Sequence, residues 1–240
     1  DVLHAITEHY SDIVYSPWYN KNKPNQTDDH DITYDIGSNE DLALHAKYYD
    51  IDHIFKTVYG RTYLKFSFAT KYVNYDLPNV FHGIRIRFSL MPQKYSDVLE
   101  PETSSIIERI EAIDRFIDMG YEVHINFSPI VYYPTWLEDY EELFQQLQGL
   151  DFKSECIFVT YNKKQAQKNN SDVNYYLWQP SIQESKNSEY AADNIRYERY
   201  FKQGLIDETT VELFQNSNDS RDWITLCKEL GLSLIHISEP

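Results

Sequence analysis

The chain has 240 residues, of which 42% are hydrophobic and 25% are charged, and its formal net charge at pH 7 is −16. This length and composition are typical of a globular protein with one large α/β domain or two small ones. Phosphates are bound by clustered Lys and Arg, so the acidic balance argues against tight, sequence-independent binding to nucleic acid, although a local basic patch stays possible.

Cysteine usage and hydropathy narrow the class of protein further. The two cysteines, Cys156 and Cys227, are far apart and lack metal-ligand spacing. This favours a reducing compartment, and we expect a cytoplasmic protein. No run of about 18 apolar residues is present, which excludes a membrane-spanning helix. The eight histidines form no pair at ligand spacing, so we predict no metal ligand among them.

Both ends of the chain look like the ends of a fragment. The first residue is Asp, and Val2 to His9 reads as a helix already under way, with no signal peptide. The last nine residues, from Leu232, resemble translated sequencing-adapter read-through. We therefore expect an internal fragment of a longer protein, with residues 232–240 as a non-native tail without selected structure.

The predicted elements alternate between helix and strand, which favours a parallel α/β architecture. In chain order they are a helix at 2–10, a polar loop at 16–30, a strand at 31–36, a helix from about residue 40, a helix at 50–59, a strand at 63–70, the segment 83–147, a strand at 155–161, a loop around Trp178, a strand at 194–200, and helices at 207–215 and 222–230.

The segment from Gly83 to Leu147 has the most regular pattern. Two strands with strict alternation, Ile84 to Met91 and Glu122 to Ile130, flank a helix that a Ser105-x-x-Glu108 capping box opens and Gly120 closes. This spacing predicts a right-handed βαβ crossover with parallel strands. A second capped helix follows.

Four predicted strands keep one polar face, whereas strands buried on both sides of parallel sheets are usually continuous apolar runs. The polar positions are Thr33 and Asp35; Lys65, Ser67 and Lys71; Arg85, Arg87 and Ser89; and His124, Asn126 and Ser128. Helices must cover the apolar faces, so we expect the polar faces to meet in the ligand-filled interior of a barrel-like sheet. Ligands in such folds bind at the carboxyl ends of strands. An antiparallel sheet with one solvated face is the alternative, and the intervening helices argue against it.

Several motifs in combination resemble the spore photoproduct lyase family of radical S-adenosylmethionine (SAM) proteins. They are FATKYVN at 68–74, RFSLMPQKYSDVLEPETSS at 87–105, RIEAIDRFIDMGYEVHINFSPIVYYPTWLEDYEELFQQL at 109–147 and LWQPSIQESKNSEYAADNIRY at 177–197. The resemblance spans about residues 31 to 202.

This resemblance implies a partial (βα)6 barrel that binds SAM and a 4Fe-4S cluster. Residues 1–161 then form strands 2 to 6 of the barrel, and residues 162–231 form a C-terminal, substrate-side extension. Cleavage of SAM would yield a 5′-deoxyadenosyl radical that acts on a DNA photolesion or a related nucleotide. The resemblance also implies an external electron donor such as flavodoxin or ferredoxin, and we expect a monomer.

The family's site residues carry over only at matching positions. Lys71, Ser89 and Ser128 are then expected to contact SAM. Asp35 matches an acidic turn residue of the family and is expected to be the fourth residue of the SAM site. Arg196 and Tyr197 match the segment near the substrate. The same strand ends were selected by the polar pattern alone. No residue of this chain is assigned a catalytic role.

Two departures from the family pattern shape the functional hypotheses. The cluster-binding Cys-x3-Cys-x2-Cys is absent, and we expect it upstream of this chain, so that the fragment itself would hold no cluster and have no radical activity. Ile32 occupies the position of the family's hydrogen-donating Cys. The alternative to a radical SAM enzyme is therefore a non-catalytic relative that binds a nucleotide or nucleic acid on a degenerate barrel.

Overall fold

The computed structural model describes residues 2–15, 31–37, 40–130, 133–150, 152–158, 160–162, 183–185, 194–197 and 234–237. The loop predicted at 16–30, the loop around Trp178 and the helices predicted at 207–215 and 222–230 lie outside these ranges. Within them, no helix is both long enough and apolar enough to cross a membrane.

The described part of the chain contains six helices and nine strands. The helices are α1 (Val2–Val14), α2 (Leu42–His45), α3 (Ile51–Lys56), α4 (Gln93–Leu99), α5 (Ile106–Asp118) and α6 (Trp136–Gln146). The strands are β1 (Ile32–Asp35), β2 (Leu64–Thr70), β3 (Ile84–Leu90), β4 (Glu122–Ile130), β5 (Lys153–Phe158), β6 (Thr160–Asn162), β7 (Gln183–Ser185), β8 (Asn194–Tyr197) and β9 (Leu234–Ile237). A 3-10 turn, Ala46–Tyr48, follows α2.

The elements form two compact units that interleave along the chain. The first consists of Asp1–Ser89, Ile107–Ile125 and Leu150–Lys153, and the second of Leu90–Ile106, Asn126–Gly149 and Ser154–Pro240.

The first unit is built on neighbouring strands in the order β1, β2, β3 and β4. β1 pairs with β2 in parallel, with Thr33 opposite Lys65 and Asp35 opposite Ser67. β2 pairs with β3 in parallel, and Ser67 lies opposite Arg85. The predicted parallel α/β sheet is confirmed, and the antiparallel alternative is wrong.

The apolar core of the first unit follows from the alternation in its strands. Ile84, Ile86 and Phe88 of β3 are buried, and Phe88 meets Phe116 of α5 edge to face with ring centroids 5.4 Å apart. Burial of each such side chain stabilises the fold by about 1.5–3 kcal/mol.

The C-terminal end of α5 is fixed by Gly120, as the sequence predicts. Gly120 has φ +93°, and its N–H donates to the Ile117 carbonyl at 2.8 Å. The next N–H, of Tyr121, donates to the Phe116 carbonyl at 3.0 Å. This left-handed stop returns the chain directly into β4.

The second unit packs α6 against the carboxyl half of β4. Phe127 of β4 meets Phe144 of α6 with ring centroids 4.8 Å apart, and both side chains are fully buried. The predicted inward face of α6 is confirmed at Tyr140, Leu143, Phe144 and Leu147. A small antiparallel sheet in the order β6-β8-β7 also belongs to this unit.

Several elements differ from the sequence predictions. Helix α1 extends to Val14, and α4 occupies a segment predicted to be a loop. In α4 the Gln93 amide donates to Asp97 one turn later at 2.5 Å, a local contact that alternation patterns do not reveal. The single strand predicted at 155–161 is divided into β5 and β6.

The segment predicted to be an unstructured tail contains β9, which pairs with β5 in parallel. This pairing does not test where residues 232–240 come from, so their assignment to a non-native tail stays a prediction.

We predict that Gly120→Ala lowers the free energy of unfolding by at least about 2 kcal/mol. A Cβ at this position would lie 1.9 Å from the Val80 carbonyl oxygen, in addition to the cost of its left-handed backbone. Gly60 is the matched control, because it has φ +75° but a Cβ there meets no atom within 4 Å. Urea unfolding of Gly60→Ala should show a loss of only about 1 kcal/mol. Equal losses in the two variants would contradict the clash.

Candidate functional site at the strand ends

The polar face of the first unit's sheet is buried, which is uncommon for a face of this composition. Ser67, Arg85, Ser89 and His124 are each less than 8% exposed. Buried polar groups need hydrogen-bond partners. The contacts of this face therefore show which of its side chains pair with one another and which could still bind a ligand.

At the amino ends of the strands, the polar face is closed by an ion network around Glu122, the first residue of β4. Lys65 Nζ lies 2.9 Å from Glu122 Oε2, and Arg85 Nη2 lies 3.0 Å from Oε1. His124 Nε2 is 2.8 Å from the same Oε1, and Lys65 Nζ also lies 2.6 Å from Asp31. Charges that leave water are stable only when paired in this way.

The network shifts the proton affinity of its members. Burial alone raises the pKa of Glu122, but hydrogen bonds from His124 and Lys65 and the positive charges of Arg85 and Lys65 outweigh it and hold this pKa well below its usual value. Burial alone lowers the pKa of Lys65, but its bonds to Asp31 and Glu122 raise it overall. Both groups are therefore held in their charged forms near neutral pH.

Three of the four predicted SAM residues lie at the carboxyl ends of β1, β2 and β3. Ala69 pairs with Arg87 and Thr70 with Phe88, so Lys71 and Ser89 come next in the register of the two adjacent strands. Asp35 ends β1 and accepts from Arg87 Nη2 at 2.5 Å. Asp35 is half exposed, whereas Arg87 is mostly buried. The alternating pattern identified Arg87 as a polar-face residue. Its pairing with Asp35 could not be predicted without the register of the strands.

Between the two ends, the polar face has unfilled hydrogen-bonding capacity. Ser67 Oγ and Arg87 Nε are buried and have no hydrogen-bond partner within the described residues. Ser67 pairs with Asp35, and Arg87 is two residues before Ser89, so both belong to the same stretch of the face. A polar ligand at the carboxyl ends would supply the missing partners.

Arg109 of α5 supports one of these strand ends from the helical side. Its side chain is fully buried, and Nη1 donates to the Ser89 carbonyl at 2.7 Å. This contact fixes the backbone of a predicted SAM residue. Sequence reasoning missed Arg109 because a charged residue between the apolar positions of a helix gives no local sign of a buried partner.

The other predicted site residues belong to the second unit. Ser128 lies in β4, two residues before the end of that strand. Arg196 and Tyr197 lie on β8, the central strand of the small antiparallel sheet, with Arg196 opposite Thr160 and Glu184. Their roles toward SAM and substrate stay predictions.

No group of three His, Cys, Asp or Glu side chains that could hold a metal ion occurs in the described ranges. The chain has two cysteines in total, fewer than the three thiolates that a SAM-binding 4Fe-4S cluster requires. The residues present therefore do not fit a cluster.

Comparison with known proteins decides the family. The family model for spore photoproduct lyase matches residues 16–167, which is more than half of the chain. The chain belongs to the spore photoproduct lyase family. The resemblance inferred from the motifs is thereby confirmed.

Two curated spore photoproduct lyases show the extent of the likeness. The protein from Geobacillus sp. (strain Y412MC61) is 34% identical over 118 residues, covering 46% of this chain and 33% of that protein. The protein from Bacillus subtilis (strain 168) is 33% identical over 109 residues, covering 41% of this chain and 32% of that protein. The chain thus matches about a third of the length of these relatives.

Solved structures of spore photoproduct lyase share the fold. A variant with the dinucleoside spore photoproduct has a TM-score of 0.72 at 17% identity, covering 99% of this chain and 66% of its own. A variant with bound AdoMet and the same dinucleoside has a TM-score of 0.66 at 18% identity, covering 87% of this chain and 62% of the variant's chain. These neighbours confirm the predicted partial barrel of the radical SAM type.

We predict that Glu122→Gln lowers the free energy of unfolding at pH 7 by about 2–3 kcal/mol, because it leaves buried cations without their counter-charge. The wild-type carboxyl binds its proton more weakly when folded, so its contribution is present above the unfolded pKa of about 4.3 and is lost as pH falls further. Urea unfolding between about pH 5 and pH 2 should therefore show a flatter pH dependence in the variant than in the wild type.

The control for this prediction is Asp52→Asn, which breaks the exposed Asp52–Lys56 pair of α3. Its effect should stay within about 0.5 kcal/mol. The same pH slope in the Glu122 variant and the wild type would show that the network does not set the acid stability.

We predict that Arg109→Met lowers the free energy of unfolding by about 2 kcal/mol or more, since Met keeps the apolar stem but not the bond to the Ser89 carbonyl. Arg115 is the matched control on the same helix, because it is exposed and its guanidinium lies 3.6 Å from the centre of the Tyr75 ring. Arg115→Met should cost about 0.5–1 kcal/mol in the same urea titration. A larger loss for Arg115 than for Arg109 would overturn the assignment.

Proposed function

We propose that this chain forms the SAM-binding part of a radical SAM enzyme of the spore photoproduct lyase family. We further propose that the whole protein acts on a DNA photolesion or a related nucleotide-containing substrate. The observation that carries the proposal is the buried polar face whose carboxyl end bears Asp35, Lys71 and Ser89, and on which Ser67 Oγ and Arg87 Nε have no partner among the described residues. The bound AdoMet and dinucleoside of a solved family structure support it.

The chemistry of this end suits SAM. Lys71 and Arg87 offer positive charge for a carboxylate, Asp35 offers negative charge for an ammonium group or acceptors for ribose hydroxyls, and Ser67 and Ser89 offer hydroxyls. SAM, when bound, would be the source of the adenosyl radical that the family resemblance implies. The strand ends would bind and orient it, and the closed amino-end network would keep the interior polar but compact.

The proposal for these 240 residues is binding of SAM and not its cleavage. The 4Fe-4S cluster of the family needs ligands that this chain does not contain, so no redox step is assigned to its residues. For the whole protein we propose a cluster held by cysteines elsewhere in the sequence, an external donor such as flavodoxin or ferredoxin, and a monomeric state.

On the substrate side, we propose that Arg196 and Tyr197 contact the nucleotide. An arginine and a tyrosine on one strand are suited to phosphate contact and base stacking. This also fits the net charge of −16, since a short local segment can contact a lesion without a basic surface over the whole protein.

A second candidate function rests on Ile32. It begins β1 opposite Leu64, where the family carries the hydrogen-donating thiol. Without that thiol a substrate radical lacks its usual quencher, which favours a non-catalytic relative that binds a nucleotide. Anaerobic reconstitution of the full-length protein and assay for 5′-deoxyadenosine separate the two candidates, because only the enzyme forms this product.

We predict that the chain binds SAM and that Lys71→Met weakens this binding at least about tenfold, since one charge-assisted hydrogen bond contributes about 1.5 kcal/mol or more. Calorimetric titration with SAM is the measurement, and Lys56→Met, on the exposed face of α3, is the control with no expected change. A wild-type chain that is folded but does not bind SAM would contradict the proposal.

The catalytic part of the proposal is tested on the gene. We expect an in-frame Cys-x3-Cys-x2-Cys encoded before residue 1. A complete reading frame without three clustered cysteines would eliminate the radical SAM reaction and leave the binding function.

A further inference from the structure

We propose that Asp41 is a positioning residue that holds the end of β2 so that Lys71 is presented to SAM. The inference rests on the proposed function for the role of Lys71. The contact of Asp41 with Lys71 is a separate observation about the first unit of the fold.

The Asp41 carboxylate joins a helix start to a strand end. Oδ1 accepts from the Leu44 N–H of α2 at 3.1 Å and from the Thr70 hydroxyl at 2.8 Å. Oδ2 accepts from the Lys71 N–H at 2.8 Å. Helix capping uses a single side-chain acceptor, so the bonds to Thr70 and Lys71 go beyond what an N-cap requires.

The segment after β2 is tied to α2 at a second point. The Tyr72 N–H donates to Thr70 Oγ1 at 2.9 Å, which turns the chain directly after the strand. The Asn74 amide then donates to the Ala43 carbonyl at 2.7 Å. Thr70 is itself 2% exposed, so Asp41 contacts a buried strand end and not a mobile surface turn.

This geometry has a consequence for the lysine side chain. Lys71 has a flexible four-carbon stem, and a contact made by such a side chain is weakened by the entropy of ordering it. A fixed N–H sets the direction in which the stem leaves the backbone. Loss of the Asp41 contact is therefore expected to weaken SAM binding without removing any atom that touches SAM.

Asp50 provides the matched control. It caps α3 in the same way, with its side chain accepting from the His53 N–H at 3.0 Å. Its cap belongs to another helix, and neither Lys71 nor Ser89 contacts it in the described hydrogen bonds. Any general effect of losing an N-cap should appear equally in Asp41 and Asp50 variants.

Asp41→Ser separates capping from positioning. Serine is as good an N-cap as aspartate, but its single, shorter side-chain oxygen cannot also reach Lys71. We expect Asp41→Ser to keep a melting temperature within a few degrees of the wild type. We expect its Kd for SAM to rise about three- to tenfold, the range that corresponds to ordering one long side chain.

The experiment compares the wild-type chain, Asp41→Ser, Asp41→Ala, Asp50→Ser and Asp50→Ala. Three quantities are measured: melting temperature, Kd for SAM by calorimetry, and amide hydrogen exchange of the peptide that contains Lys71. Both Asp41 variants should bind SAM more weakly and exchange faster in that peptide. Both Asp50 variants should match the wild type in Kd for SAM and in the exchange of that peptide.

The outcomes separate this inference from the proposed function. If the wild type binds SAM and the Asp41 variants bind it equally well, Asp41 is only a helix cap and the SAM proposal stands. If no variant including the wild type binds SAM, the proposed function fails and the positioning role fails with it. Unchanged exchange at Lys71 in the Asp41 variants would overturn the inference in either case.

Discussion

The carboxylate of Glu122 is the constraint on which the polar interior of the first unit depends. It lies among Lys65, Arg85 and His124, which enter from three adjacent strands. Buried cations of this kind destabilise a fold strongly when their counter-charge is removed. One residue at the first position of β4 therefore makes it possible for the sheet to bury a polar face.

This network also divides the sheet into two ends with different roles. The amino ends are closed by contacts within the first unit, while the carboxyl ends retain buried groups such as Ser67 Oγ and Arg87 Nε without described partners. In barrels of parallel strands the amino ends generally serve stability and the carboxyl ends carry the site. Charge distribution here follows the same division, with Glu122 at one end and the Asp35–Arg87 pair toward the other.

Much of the fold could be predicted because alternation and helix stops are local signals. The bounds of β4 and the stop at Gly120 were predicted as the structure has them, and β3 ends one residue before its predicted alternation does. Asp41 and Arg109 could not be predicted in their roles, because each acts on a strand end distant in sequence. A charged residue beside an apolar stripe has the same local pattern whether it is solvated or donates to a buried carbonyl. Only the register of β2 and β3 and the packing of α5 distinguish the two.

The chain has the fold of its family but lacks the cysteines that a 4Fe-4S cluster needs. The two observations agree if SAM binding and electron delivery depend on different parts of the family fold. Asp41 bonds to the backbone of Lys71 and Arg109 to that of Ser89, and both bonds lie wholly within the first unit. Supporting contacts of this kind preorganise a site before its ligand arrives. None of them involves a cysteine or a metal. The geometry of the SAM-facing strand ends is therefore a property of the sheet and its covering helices, and the chemistry done there depends on what else the whole protein contributes.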